Sequence, residues 1–388
     1  MSPMKDPESI LLLRSDAIGD HVLASGLLPL FRERWPQADI TILCPQQVQD
    51  LFGACPHVHR VIPFKPVRLS RVRYRAGLAW TLRRKVDLAV NTVFSRDSVV
   101  DRVARLVRAE RFVAFRGDTC NQEPSQLRAN DSAYTELVEV PPVPMHALDR
   151  LAHLAAHLGL QGPVEPRAWI SPEDEARAAS LLSPLPPGRD RIAFFPGAGT
   201  PIRHYARYAE ALRAFLAGHP AAVVALGAAS DRAMAEEILS GLPGTPTLNL
   251  CGGTTLREAA AVIRRSRMGM GAETGLAHLA WALGIPHAVI VGGGHFGRFM
   301  PRSSLTSTAC LPLTCAGCDW QCRFERPHCI QDLPPAVLAE AMAAAWGSAS
   351  VRPRLFLPEP SPLPSLACPP PPLPGGLEAA TIRVRIPA

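Results

Sequence analysis

The sequence predicts two parallel α/β domains in one chain, and three observations carry that prediction. Short apolar segments alternate with segments of helical periodicity, the pattern of a parallel sheet covered by helices. The alternation stops at a Pro/Gly-rich run, SPLPPGRD, that reads as a domain linker, and then starts again. At 388 residues the chain is long enough to fill two cores. Open α/β sheets bind ligands outside the carboxyl ends of their strands, so two such halves predict a site in a cleft between them.

In chain order, Ile10–Arg14 reads as a buried strand and Ser15–Asp20 (SDAIGD) as the loop after it. A helix follows from about His21 to Trp35, with Leu23, Leu27, Leu30 and Phe31 at helical spacing and a kink expected at Pro29. Ile40–Cys44, Val58–Ile62, Val86–Val90 and Phe112–Phe115 read as further strands, and residues 143–160 contain an amphipathic helix. Ser171 caps the next helix, with Pro172 in its first turn. After SPLPPGRD come a strand (Ile192–Phe195), a glycine-bearing loop (PGAGTPIR) and a helix (His204–Ala217). Strands at Ala222–Leu226 and Thr247–Leu250 precede a helix opened by a Thr255/Glu258 capping box. A short strand (Met268–Met270), a turn (Glu273, Thr274, Gly275), a helix and another strand (Ala288–Val291) lead to the cysteine-rich region, and a last helix covers Pro335–Trp346. The expected plan is a disordered N-terminus over 1–9, domains over 10–170 and 171–346, and a disordered proline-rich tail over 347–388 (SPLPSLACPPPPLPGG within it).

With 47% hydrophobic and 19% charged residues, the composition is that of a globular chain. No apolar run reaches the length of a transmembrane helix, and Asp6 and Glu8 in the opening residues argue against a secretory signal. A cytoplasmic chain is expected. The formal charge is +7, and Arg68, Arg71, Arg73, Arg75, Arg83, Arg84 and Lys85 form the densest basic stretch. Such a stretch suits an acidic substrate or an anionic membrane surface, or is simply a solvated face. Without aromatic residues interleaved in a stacking pattern, it predicts no nucleic-acid partner. Ten cysteines in a cytoplasmic chain argue against a disulfide framework. Four of them, Cys315, Cys318, Cys322 and Cys329, are spaced C-x2-C-x3-C-x6-C. They either close a tetrahedral thiolate site for structural zinc or iron, with His328 a substitute ligand, or are four reduced thiols in a loop.

Neither half has a GxGxxG after its first strand, and no GxSxG or Walker loop is present, so nothing supports nicotinamide, flavin, serine-hydrolase or P-loop chemistry. Three stretches carry chemistry instead. Asp20, with Asp16 four residues before it, puts a carboxylate where strand one meets its helix; it is either a general base or a helix cap. In PGAGTPIRHY, Thr200 and Arg203 can surround phosphate oxygens with N–H groups and a guanidinium, or form an ordinary surface turn. In GAETGLAH, Gly275 opens a helix whose unpaired N–H groups and dipole favour an anion, with His278 one turn on along the same face; the plain alternative is a Thr-capped crossover helix.

Taken together, RSDAIGD, PGAGTPIRHYARYAEAL and GAETGLAHLAWALGIP resemble glycosyltransferase family 9, the ADP-heptose:lipopolysaccharide heptosyltransferases and their relatives, from about Ile10 to Trp346. The resemblance implies an α/β GT-B fold, with two Rossmann-like domains whose parallel sheets face each other across a cleft. It implies inverting transfer of a sugar from a nucleotide diphosphate with no catalytic metal, the acceptor in the N-terminal domain and the donor in the C-terminal one. Carried over by position, Asp20 matches the base, and Thr274, Gly275 and His278 match the donor turn. Thr200 matches a hydroxyl residue of the phosphate loop, and Arg203 stands where the family has a lysine. Glu273 replaces an aspartate, and Asp231 is placed to meet the ribose hydroxyls. Asp16, Arg68, Arg71 and Arg73 fall on the acceptor side. The expected reaction moves heptose from ADP-heptose to a lipopolysaccharide core or other lipid-linked or surface glycan, with peripheral contact at the inner membrane. The alternative is a catalytically silent GT-B protein that binds a nucleotide or assembles with a biosynthetic complex.

Overall fold

Two parallel sheets, each with its own core, organise the chain. The computed structural model describes residues 6–300, 302–347 and 350–386. Residues 1–5 of the segment expected to be disordered therefore lie outside the described residues, while Ser9 already begins the first strand. The chain divides into two compact units: 1–143 with 147–169, and 144–146 with 170–388.

The first unit contains β1 (Ser9–Leu13), β2 (Asp39–Pro45), β3 (Arg60–Phe64), β4 (Val86–Asn91), β5 (Ala109–Phe115) and β6 (Glu136–Val138). Among the described residues these form a sheet in the order β3-β2-β1-β4-β5-β6, with every pairing parallel. Ile10, Leu11, Leu12 and Leu13 are all buried, as expected for a central strand covered on both faces. The helix expected over 21–35 is instead two, α1 (Ile18–Ala24) and α2 (Leu27–Arg34). The break falls at Ser25–Gly26 because the chain passes the backbone of Glu165 there: a Cβ on Gly26 would lie 2.4 Å from the Glu165 carbonyl oxygen. Pro29 sits in the first turn of α2, where its missing N–H has no intrahelical partner to lose, so it does not kink the helix.

The second unit contains β7 (Arg191–Phe195), β8 (Ala222–Ala225), β9 (Thr247–Asn249), β10 (Met268–Ala272), β11 (His287–Ile290), β12 (Thr306–Ala309), β13 (Arg354–Glu359) and β14 (Ala380–Arg385). Their order is β14-β13-β12-β11-β10-β7-β8-β9, again parallel throughout. Read from β7, this is the same winding as the first sheet with two strands added at one side. SPLPPGRD lies inside this unit, between the helix Pro172–Leu182 and β7, and so does not link domains; the units divide at Trp169/Ile170. The helix Pro172–Leu182 does begin with Ser171 as its N-cap, and Asp174 completes a capping box there.

The proline-rich tail is the largest departure from expectation. Composition predicts an extended, mobile segment over 347–388, yet RLFLPE forms β13, with Leu355, Phe356 and Leu357 buried. Arg354–Phe356 pair with β12, and β14 covers β13 along its whole length. Pro358 falls past the stretch bonded to β12, so its missing N–H does not interrupt that pairing. Deleting residues 348–388 should expose β12 and remove three buried side chains worth ~2 kcal/mol each. The expected result is a melting temperature lower by roughly 10 °C or more, or outright aggregation. A truncated protein that melts with the full chain would show the segment to be dispensable.

Candidate functional site

In each sheet the strand order reverses direction at one boundary, β1/β4 in the first unit and β7/β10 in the second. The loops leaving neighbouring strands diverge there and open a crevice at the carboxyl edge, where open α/β sheets place ligands. Asp16, Asp20, Thr200, Arg203 and the Glu273–His278 stretch follow the strands at these two boundaries.

In the second unit, β7 delivers Pro196–Thr200 and the turn Pro201–Arg203, while β10 delivers Glu273, Thr274 and the helix Gly275–Ala282. Arg203 joins them: its Nη2 donates to the Glu273 carbonyl oxygen and lies 3.4 Å from Glu273 Oε2. Glu273 is buried, so its carboxylate faces Arg203 in a setting that water screens little. Thr274 is the N-cap of the helix, with extended backbone (φ −140°, ψ 179°), but its side chain makes no capping hydrogen bond. Its Oγ1 is buried and has no hydrogen-bond partner, and neither has Nδ1 of His278, a residue only 4% exposed. Two unsatisfied buried polar atoms beside an open helix N-terminus fit a polar ligand better than a finished helix cap. Thr200 is exposed at the head of the Pro201–Arg203 turn. Asp231 is held in the neighbouring loop: its Oδ2 accepts from Ala228 N–H at 2.8 Å, and a Cβ on Gly197 would strike its carboxylate at 2.4 Å.

In the first unit Asp20 occupies the third position of α1, not the loop before it. The N-cap is Ala17, which offers no capping side chain, so neither Asp16 nor Asp20 caps the helix. Arg14, at the end of β1, collects both carboxylates: it forks onto Asp16 at 2.7 Å through Nε and Nη2, and its Nη2 lies 3.5 Å from Asp20 Oδ1. Nη1 of the same guanidinium donates to Thr92 O at 2.7 Å, tying the cluster to the strand across the boundary. Burial pushes the Asp16 carboxyl above its ordinary value, and the Arg14 charge opposes that shift. His21 is buried beside them; burial and then the Arg14 charge hold it neutral, near 4. Arg68, Arg71 and Arg73 lie away from this cluster in sequence, exposed on and before α3 (Val72–Thr81).

Among the described residues, no group of three or more His, Cys, Asp and Glu is arranged to hold a metal ion. Cys315, Cys318 and Cys322 lie in the loop before the short helix His328–Gln331, and that helix carries Cys329. The His328 ring bonds Asp332, at 2.6 Å.

Sequence reasoning missed Arg14, His21 and Trp320. Arg14 ends an apolar strand run and was read only as part of it. Trp320 sits between cysteines and lies near Arg203, its ring centroid 5.1 Å from the guanidinium carbon, a contact with no sequence signal.

The buried histidine gives a measurable consequence. Burial, then the nearby His287 and Arg203 charges, depress His278 from 6.5 to about 3. The unfolded chain therefore binds a proton that the folded one refuses between those values, so His278 costs stability as pH falls through that window and costs nothing above it. His287 and His21, both near 4, act in the same direction. His278→Gln should lose melting temperature less steeply than the parent protein between pH 6.5 and 4; parallel curves would contradict the assignment.

The comparisons agree with this geometry. Residues 126–326 match the model of glycosyltransferase family 9 (heptosyltransferase). Lipooligosaccharide heptosyltransferase 2 of Haemophilus ducreyi is 26% identical over 303 residues, covering 72% of this chain and 82% of its own. The structure of the Escherichia coli ADP-heptose lipopolysaccharide heptosyltransferase II aligns with TM-score 0.66 at 22% identity, over 87% of this chain and 98% of that one. The iron-containing dodecameric glycosyltransferase TibC of enterotoxigenic E. coli shares the fold at TM-score 0.50 and 14% identity, over 88% of this chain and 77% of its own. These likenesses identify the fold as GT-B. With a family model that spans more than half of its length, and with both reversal boundaries carrying the motifs that suggested it, the chain belongs to glycosyltransferase family 9.

Proposed function

We propose that the protein transfers heptose from ADP-heptose to a lipopolysaccharide core or a similar surface glycan. The observation that carries this reading is the bridge from Arg203 to the Glu273–Gly275 turn, beside the unsatisfied Thr274 and His278 atoms. A diphosphate supplies the acceptor oxygens those groups lack, and the helix N-terminus and guanidinium supply positive charge where the leaving group gains negative charge. The names of the curated relatives, all heptosyltransferases acting on lipooligosaccharide or lipopolysaccharide, support the sugar and the acceptor.

Asp20 is the base in this reading. Its carboxylate takes the proton of the acceptor hydroxyl as that oxygen attacks the anomeric carbon, and the C–O bond to the diphosphate breaks on the opposite face. Arg14 sits beside both carboxylates: it binds Asp16 through two bonds at 2.7 Å, and its Nη2 lies 3.5 Å from Asp20 Oδ1. The leaving diphosphate is held by Arg203, Thr200 and the backbone at Gly275, and Asp231 is assigned to the ribose hydroxyls. Exchange of Glu for the family's Asp and of Arg for its Lys keeps the charges but not the reach, which leaves a catalytically silent nucleotide-binding protein as the competing reading. Asp20→Asn should lower turnover about 10²–10⁴-fold with ADP affinity within about twofold of the parent protein. Undiminished turnover would sink the base assignment, and absence of transfer in the parent protein on any heptosyl acceptor would favour the silent reading.

Contact with a membrane surface belongs to the same proposal. No helix among the described residues is long and apolar enough to cross a membrane. Between Asp50 and Asp87, however, the sequence has no acidic residue. In that stretch Val67, Val72 and Trp80 are 86%, 69% and 69% exposed, and Val72, Ala76 and Trp80 form one outward stripe of α3 opposite buried Leu78. Apolar side chains framed by Arg68, Arg71, Arg73, Arg83 and Arg84 suit an anionic headgroup layer. Binding to vesicles containing anionic lipid should fall several-fold in Trp80→Ser and with added salt, and binding that is indifferent to both would contradict the surface.

A further inference from the structure

The cysteine-bearing segment, the loop with Cys315, Cys318 and Cys322 and the short helix with Cys329, is bonded to the glycine run that leaves β11. Gly317 N–H donates to Gly293 O at 2.8 Å, Asp319 N–H donates to Gly294 O at 3.1 Å, and Gly293 N–H reaches Cys329 Sγ at 3.4 Å. Since β11 pairs with β10, this run emerges beside the Glu273–Gly275 turn. The bonding brings one large side chain to the carboxyl edge of the sheet. Trp320 lies directly on the glycines: a Cβ on Gly292 or Gly294 would come within 2.6 and 2.4 Å of its ring atoms. Arg203 stacks on the same ring, its guanidinium carbon 5.1 Å from the ring centroid, within the range of a cation–π contact.

The backbone there is unusual. Asp319 and Trp320 have φ of +47° and +62°, the left-handed region that a bulky side chain rarely enters. Such conformations persist where surrounding contacts hold them, and they gather at ligand clamps. Here the hydrogen bonds to Gly293 and Gly294 hold the loop, and His295 adds a contact to Asp319 at 3.2 Å. Arg203 itself sits on a three-residue turn, a short element that alone leaves a long side chain free to sample many rotamers.

We propose that Trp320 is a positioning residue for the donor site. Its ring holds the Arg203 guanidinium against the Glu273 carbonyl in the orientation that meets a diphosphate, and the cysteine loop is the scaffold that presents the ring. The proposal rests on the donor reading given above. It explains why glycine stands at both Gly292 and Gly294, and it gives the cysteine loop a task at the site whether or not the thiols bind anything.

The test is ADP titration by calorimetry on the full chain, with melting temperatures in parallel. Trp320→Gly removes the ring and relaxes the left-handed backbone, so the fold should hold while ADP affinity falls about tenfold. Trp320→Phe keeps an aromatic face and should stay within about threefold of the parent protein. In an Arg203→Ala background, Trp320→Gly should change ADP affinity by less than about twofold, because the group it positions is gone. A loss as large without Arg203 as with it would overturn the proposal, as would Phe performing no better than Gly. A parent protein that binds neither ADP nor any other nucleoside diphosphate would overturn the donor reading and this proposal together, whereas the mutant outcomes above overturn the proposal alone.

Discussion

The contact between β7 and β10 is the constraint on which the second unit's site depends. The two strands run in register, Gly269 opposite Ala193 and Gly271 opposite Phe195, and the fit is possible only because both β10 positions lack a side chain. Gly271 has φ +149°, and a Cβ on it would lie 2.2 Å from the Phe195 carbonyl oxygen; one on Gly269 would press on the Phe195 ring at 3.0 Å. The chain leaves this seam by two routes, through Pro196 to Arg203 and through Glu273 to Gly275. A guanidinium on the first route can then reach a backbone carbonyl on the second, and the proposed diphosphate site rests on that reach.

The first unit solves a related problem with the charges exchanged. At its own reversal boundary one arginine gathers two carboxylates and anchors itself to the carbonyl of Thr92 on the far side of the seam. The arginine is shared unequally: it makes a two-toothed bond to Asp16 and a longer contact to Asp20. The two-toothed bond to Asp16 fixes the plane of the guanidinium. The adjacent His21 stays neutral and adds no competing charge.

Much of this was readable in the sequence because strand and helix periodicities are local properties. The buried run at 10–13, the Ser171 cap, the Thr255 capping box and the Thr-Gly helix start all depend on residues a few positions apart. What failed to show depended on distant partners. The break between α1 and α2 is set by Glu165, more than a hundred residues away, and Pro29 was a misleading local cue. Asp20 was placed in a loop because nothing local marks Ala17 as the first cap. Trp320 reaches Arg203 across more than a hundred residues, and composition alone hid the apolar run Leu355, Phe356 and Leu357 among the prolines of the last segment.

That last segment has a consequence for how the sheet can vary. β13 and β14 join beyond β12, at the side of the sheet separated from the β7/β10 seam by β11 and β12. Growth at that side leaves the reversal boundary and its loops where they were. Its outermost strand carries Arg383 and Arg385 beside half-open Ile382, and like charges along an edge repel a second copy of the same edge. The sheet thus has a margin where length is adjusted under the rules of solubility and self-association, independently of the rules that govern sugar transfer. Two proteins with the same chemistry can differ there by a whole pair of strands.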